Sequence, residues 1–142
     1  MAVQSRADAT WEGDLLSGAG HVTPASGAFP ELQLTWRARS ESRDSGTSPE
    51  ELLAAAHAAC YSMALSLGLA QAGHAPERLD TSARVGFQAG EGITGVELSV
   101  RGQVPGLDAE GFRQAAEAAK ETCPVSKALA GVKITLAEAE LV

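Results

Sequence analysis

Ser48-Pro49-Glu50-Glu51, followed by LLAAAHAACYSMALSLGLAQA from Leu52 to Ala72, is the stretch that decides the fold. Ser48 is a helix N-cap residue, and Pro49 suits the first helical position because its ring presets φ and the N–H it lacks has no intrahelical acceptor there. Glu51 stands at the capping-box position. From Leu52 the chain runs to Ala72 almost without a polar break, with Gly68 its one weak helix former, and Gly73 can end the helix. Apolar residues cover most of the circumference, the pattern of a helix buried on nearly all sides. It is predicted to be the central helix.

Strands and turns flank it. Trp11-Glu12-Gly13-Asp14 and Gly18-Ala19-Gly20 punctuate short extended pieces near the start. Leu32, Leu34, Trp36 and Ala38 then alternate with Gln33, Thr35, Arg37 and Arg39. That period of two predicts a half-buried strand with both arginines on its polar face. Beyond the central helix, Val85-Gly86-Phe87 is separated by Gly90-Glu91-Gly92 from a run in which Val96, Leu98 and Val100 alternate with Glu97, Ser99 and Arg101. Pro105-Gly106 stops that run. Asp108 can cap a second helix with Phe112, Ala115, Ala116 and Ala119 on one face. Thr122-Cys123-Pro124 breaks it and starts a short helical segment ending near Gly131, and Val132, Ile134 and Leu136 alternate as a final strand. Grouped strands and helices, rather than strict alternation, predict an α+β fold.

With 142 residues the chain fits a single domain, 1–142, and 44% apolar content is enough for a core. Aromatics are only 4%, so that core is mostly Ala, Leu and Val, and a helix face of alanines needs a sheet or a second subunit to cover it. The formal charge of −7 sets the chain against phosphate backbones and anionic headgroups, so neither nucleic acid nor a membrane is expected as a partner. The N-terminus lacks the apolar core of a signal peptide, and no stretch of eighteen apolar residues is read as able to span a bilayer. A cytoplasmic location is expected, where two cysteines are reactive or inert thiols rather than a permanent disulfide.

Cys60, amid small residues of the central helix, reads by itself as a small core hydrophobe. Cys123 precedes Pro124 at a helix start, where free N–H groups favour a thiolate. A thiol peroxidase needs a thiolate to attack the peroxide oxygen, a fixed cation beside it, and a second thiol to capture the sulfenic acid. Arg37 and Arg39 both offer a permanent cation, and spacing selects neither. His57, three residues before Cys60, could serve as its base, the arrangement of a thiol hydrolase. Ser126 either hydrogen-bonds the Cys123 sulfur or points to water. Without CxxC or HxxxH spacing, neither a metal nor a cofactor is expected. A non-catalytic binding or structural module with buried thiols is the competing reading.

Thr47-Ser48-Pro49-Glu50-Glu51-Leu52-Leu53-Ala54-Ala55-Ala56-His57-Ala58-Ala59-Cys60 resembles the signature of the OsmC/Ohr hydroperoxide reductases, and Cys123-Pro124-Val125-Ser126 resembles their second signature. Trp11-Glu12-Gly13 and the separation of the two cysteines also suit that family, so the resemblance spans nearly the whole chain. His57, Glu50-Glu51 and Val125 are similar to the OsmC branch. Ser48 and Tyr61 depart from its more usual Asn and Phe, and the loop Ser42 to Gly46 is slightly longer than in many relatives. The resemblance implies antiparallel sheets around a long buried helix and an intertwined homodimer. It implies an organic hydroperoxide as substrate, Cys60 as the peroxidatic thiol and Cys123 as the resolving one. Arg39 would be the catalytic arginine, with Arg37 the second choice, and Glu50 the carboxylate that orients it. A dithiol, of lipoyl type by family analogy, would reduce the disulfide. Glu50 and Cys60 are ten positions apart on one helix, about 15 Å along its axis, so a single chain does not bring them directly together.

Overall fold

The computed structural model describes residues 1–41 and 46–142; Ser42 to Ser45, most of the loop noted above, lie outside the described residues. The chain divides into two compact units, Met1–Leu52 and Leu53–Val142. In the first, β1 (Ala7–Glu12), β2 (Ala19–Pro24) and β3 (Leu32–Leu34) form an antiparallel sheet in that order. The expected strand through Arg39 ends early, and Trp36–Ser40 is the short helix α1 instead. Thr35 causes the switch, because its Oγ1 accepts the Ala38 N–H at 3.0 Å and caps a helix. The four residues Trp36 to Arg39 satisfy either reading locally, and the cap at Thr35 prevails.

The chain then returns to β3. Thr47 pairs in parallel with Leu34, its N–H donating to Gln33 O at 2.8 Å. Gly46 permits this approach: its φ is +78°, and a Cβ there would meet Gln33 O at 2.5 Å. The long helix α2 (Pro49–Gln71) begins immediately afterwards. As anticipated, Ser48 Oγ accepts the Glu51 N–H at 3.1 Å. Glu51 Oε1 in turn accepts the Thr47 hydroxyl at 2.6 Å, tying the first turn to the segment that enters it.

In the second unit, β4 (Arg78–Gln88) and β5 (Gly92–Gln103) form an antiparallel hairpin, followed by α3 (Ala109–Thr122), α4 (Pro124–Ala128) and β6 (Ile134–Leu141). Val96, Leu98 and Val100 face inward as the alternation predicts. Asp108 caps α3 through Gly111 N, and Phe112, Ala116 and Ala119 are its buried face. One detail differs from sheets that are antiparallel throughout: β6 runs parallel to β5. The α3–α4 connection is long enough to carry the chain back to the end where β5 began, as a parallel neighbour requires.

Beyond Glu50 in its first turn, the buried residues of α2 recur every four positions, at His57, Tyr61, Leu65 and Leu69. The last three join Val85, Val96, Leu98, Val100 and Phe112 in the core. Tyr61 Oη donates to Ala116 O on α3 at 2.8 Å, and Ser62 Oγ lies 2.8 Å from Thr81 Oγ1 on β4. By length and composition alone α2 is apolar enough to cross a membrane. Within one chain its burial is one-sided. Ala55, Ala56, Ala59, Met63 and Leu67 are exposed, Met63 at 73% and Leu67 at 60%.

Candidate active site

Two clusters hold the residues that carry chemistry, one in each unit. The first is an ion pair. Arg39 sits near the end of α1, and its Nε donates to Glu50 Oε1 at 2.8 Å and to Oε2 at 3.3 Å. Glu50, in the first turn of α2, is buried. Arg37 is exposed on α1. On a helix, residues two apart point in different directions, and this separates two arginines that a strand would have kept on one face. The structure thus joins Arg39, and not Arg37, to Glu50.

The second cluster is the thiol pair. Cys60 lies midway along α2 and is partly exposed; Cys123, at the junction of α3 and α4, is fully buried. Separated by more than sixty residues in sequence, they are free thiols within hydrogen-bonding contact. Burial pushes the Cys60 thiol up; the Val125 N–H opposes this, and the neighbouring Cys123 sulfur adds to the rise. Burial acts on Cys123 as well, but hydrogen bonds from the Ser126 N–H, the Cys60 thiol, the Ser126 hydroxyl and the Val125 N–H outweigh it, and the net direction is down.

His57 and Ser126 complete this cluster. His57 Nε2 lies 2.8 Å from Ser126 Oγ, both residues are buried, and burial holds the imidazole pKa down and the ring neutral. Of the two positions open to Ser126, the structure shows the inward one, against the Cys123 sulfur. His57 Nδ1 is buried without a partner among the described residues. Nothing local in the sequence signals a contact between residues 57 and 126, because it exists only once α4 packs on α2. Among the described residues, no three His, Cys, Asp or Glu side chains come together as a metal site would need.

A guanidinium fixed by a buried carboxylate and a two-cysteine pair are the parts expected of a thiol-based redox protein. The family model for OsmC-like protein matches residues 42–137. The chain belongs to the OsmC-like family. It is 43% identical over 132 residues to peroxiredoxin OsmC of Escherichia coli (strain K12), covering 91% of this chain and 92% of that one. It is 33% identical to the organic hydroperoxide resistance protein OhrA of Bacillus subtilis (strain 168), over 72% of this chain and 74% of the relative. Among solved structures, the organic hydroperoxide resistance protein OhrB of Bacillus subtilis superimposes with a TM-score of 0.67 at 28% identity, covering 96% of this chain and 98% of that one. An OsmC-like protein from Mycoplasma pneumoniae shares the fold with a TM-score of 0.72 at 18% identity. The two signatures that suggested the family thus lie in a chain whose sequence and fold both match it.

Proposed function

We propose that this OsmC-family chain is a thiol-dependent peroxidase that reduces organic hydroperoxides to alcohols. The observation that carries the reading is the thiol pair: one partly exposed sulfur and one buried sulfur, in contact before any oxidant arrives. Names of its relatives, peroxiredoxin and organic hydroperoxide resistance protein, agree with it.

Cys60 is the nucleophile because it is the sulfur a peroxide can reach. The proton it holds passes to Cys123 along the hydrogen bond between them, which places the anion on Cys60. That thiolate attacks a peroxide oxygen, the O–O bond breaks, and the alcohol departs after taking a proton, leaving a Cys60 sulfenic acid. Cys123 then attacks the sulfenic sulfur, water leaves, and a Cys60–Cys123 disulfide forms. An external dithiol of lipoyl type reduces the disulfide and is itself oxidised to a cyclic disulfide. Arg39, held by Glu50, is the cation of the reaction. His57 Nε2 meets Ser126 and Nδ1 has no hydrogen-bond partner among the described residues, so neither nitrogen is bonded to Cys60 as the base of the hydrolase alternative would be.

The working form is proposed to be a homodimer in the cytoplasm. The uncovered apolar side of α2, Ala55, Ala59, Met63 and Leu67, supports the dimer, since apolar side chains in such a row are stabilised by removal from water.

The test is turnover of cumene hydroperoxide and hydrogen peroxide with a dihydrolipoyl dithiol, comparing wild type, Cys60→Ser and Cys123→Ser. Cys60-dependent consumption that prefers the organic peroxide is expected, with Cys123→Ser reacting once and then over-oxidising. Turnover that persists in Cys60→Ser would sink the assignment.

A further inference from the structure

His57 and Ser126 are buried polar residues that the cycle above leaves without a role. Nε2 of His57 lies 2.8 Å from Ser126 Oγ, and the Ser126 hydroxyl is a hydrogen-bond partner of the Cys123 sulfur three residues earlier. The unpartnered Nδ1 decides which way the protons point. If Nδ1 carried the proton, a buried N–H would lack an acceptor. Ser126 would then spend its single proton on Nε2 and have none for the sulfur. With the proton on Nε2, the only loss is one unpaired lone pair at Nδ1. Nε2–H donates to Ser126 Oγ, and Ser126 Oγ–H is free to donate to Cys123 Sγ.

We propose that His57 and Ser126 form a donor chain that directs a hydroxyl proton at Cys123 Sγ and stabilises that sulfur in the steps in which it becomes anionic. Both are positioning residues: His57 acts through Ser126, and Ser126 acts on a sulfur that the peroxide does not touch. The proposal rests on the reading of Cys123 as the resolving thiol, and it supplies what that thiol needs twice. In the resolving step Cys123 attacks the Cys60 sulfenic sulfur as the anion, the S–O bond breaks, and the departing hydroxide takes a proton from solvent to leave as water. In the reductive step the better leaving group is the sulfur with the lower pKa, and the attackable sulfur is the accessible one. Cys60 is partly exposed and Cys123 is not. One thiolate of the dithiol therefore attacks Cys60 Sγ and the S–S bond breaks, with Cys123 leaving with the electron pair. The reductant's second thiol then displaces Cys60, closing the reductant's own disulfide and returning both cysteines to the reduced state. The titratable groups facing Cys123 are Cys60 and Tyr61 from α2, with His57 reaching it through Ser126 and Glu117 of α3 acting on Tyr61.

The chain has two cysteines, so Cys60→Ser leaves Cys123 as the only thiol, and its ionisation is read directly from ultraviolet thiolate absorbance against pH. Adding Ser126→Ala is expected to move the midpoint up by about one unit, a tenfold loss of thiolate below the midpoint. Adding His57→Leu should move it in the same direction, while Ser126→Thr, which keeps the hydroxyl, restores the parent curve. With both cysteines present, reduction of the preformed disulfide by a dithiol should be about tenfold slower in Ser126→Ala, with circular dichroism confirming the fold. A titration indifferent to Ser126→Ala overturns the proposal. A shift with Ser126→Ala and none with His57→Leu removes His57 from it. Because the titration needs no turnover, a shifted curve in a protein that consumes no peroxide would uphold the donor chain and defeat the peroxidase reading instead.

Discussion

Arg39 Nε lies 2.8 Å from one oxygen of Glu50 and 3.3 Å from the other, and the two partners differ in burial: the Glu50 side chain is 1% exposed and that of Arg39 33%. The carboxylate is thus the buried anchor, and the guanidinium reaches outward from it. A carboxylate in that position depends on its cation more than the cation depends on it.

Arg39→Ala is accordingly expected to destabilise the fold by about 2 kcal/mol, less than for a fully buried pair because Arg39 is partly solvated. Combining it with Glu50→Gln should recover part of the loss, since no charge is then stranded. Denaturant unfolding of the two single variants and the double variant measures this. A double variant less stable than Arg39→Ala would show that Glu50 is held by other groups.

Tyr61 makes a pH prediction. Burial, then the nearby Glu117 and Cys123, push its phenol far above the ordinary value, while in the unfolded chain it ionises near 10, roughly. The folded state binds this proton more tightly, so the stability it contributes is complete below the ordinary tyrosine pKa and is lost as pH rises above it. Tyr61 is the only tyrosine, and its phenolate absorbance reports on it alone. No phenolate should appear in the folded protein near its ordinary pKa, and the alkaline loss of stability should be smaller in Tyr61→Phe. Normal titration of the phenol in the folded protein would contradict the burial.

Leu67→Glu addresses the uncovered side of α2. Leu67 is 60% exposed in a single chain, so a charge there costs the isolated fold little. In the proposed dimer it would bury an unpaired carboxylate and drive dissociation. Sedimentation velocity should show a dimer for wild type and a monomer for Leu67→Glu. A wild type that is monomeric and fully active would rule out the dimer.

Much of the fold was legible in local patterns. Ser48, Pro49 and Glu51 announce the start of α2, Asp108 announces α3, and the period of two from Val96 to Val100 announces β5, because caps and alternation act over a few residues. Trp36 to Arg39 was misleading for the same reason: four residues cannot distinguish a strand from one turn of helix, and the bond from Thr35 Oγ1 to Ala38 N decides it. The direction of β6 was equally hidden, since the pattern of Ile134 and Leu136 is the same whichever way its neighbour runs.

By itself the sequence determined the family, the two cysteines and the candidate acid–base partners around them, because these depend on residue type and short spacing. Only the tertiary structure paired Arg39 with Glu50, brought Cys60 to Cys123, and turned His57 toward Ser126. Those choices depend on contacts between residues far apart in the chain. Hydrogen bonds and ion pairs act over a few ångströms, and whether two distant residues come that close is set by how their helices pack rather than by their own neighbours.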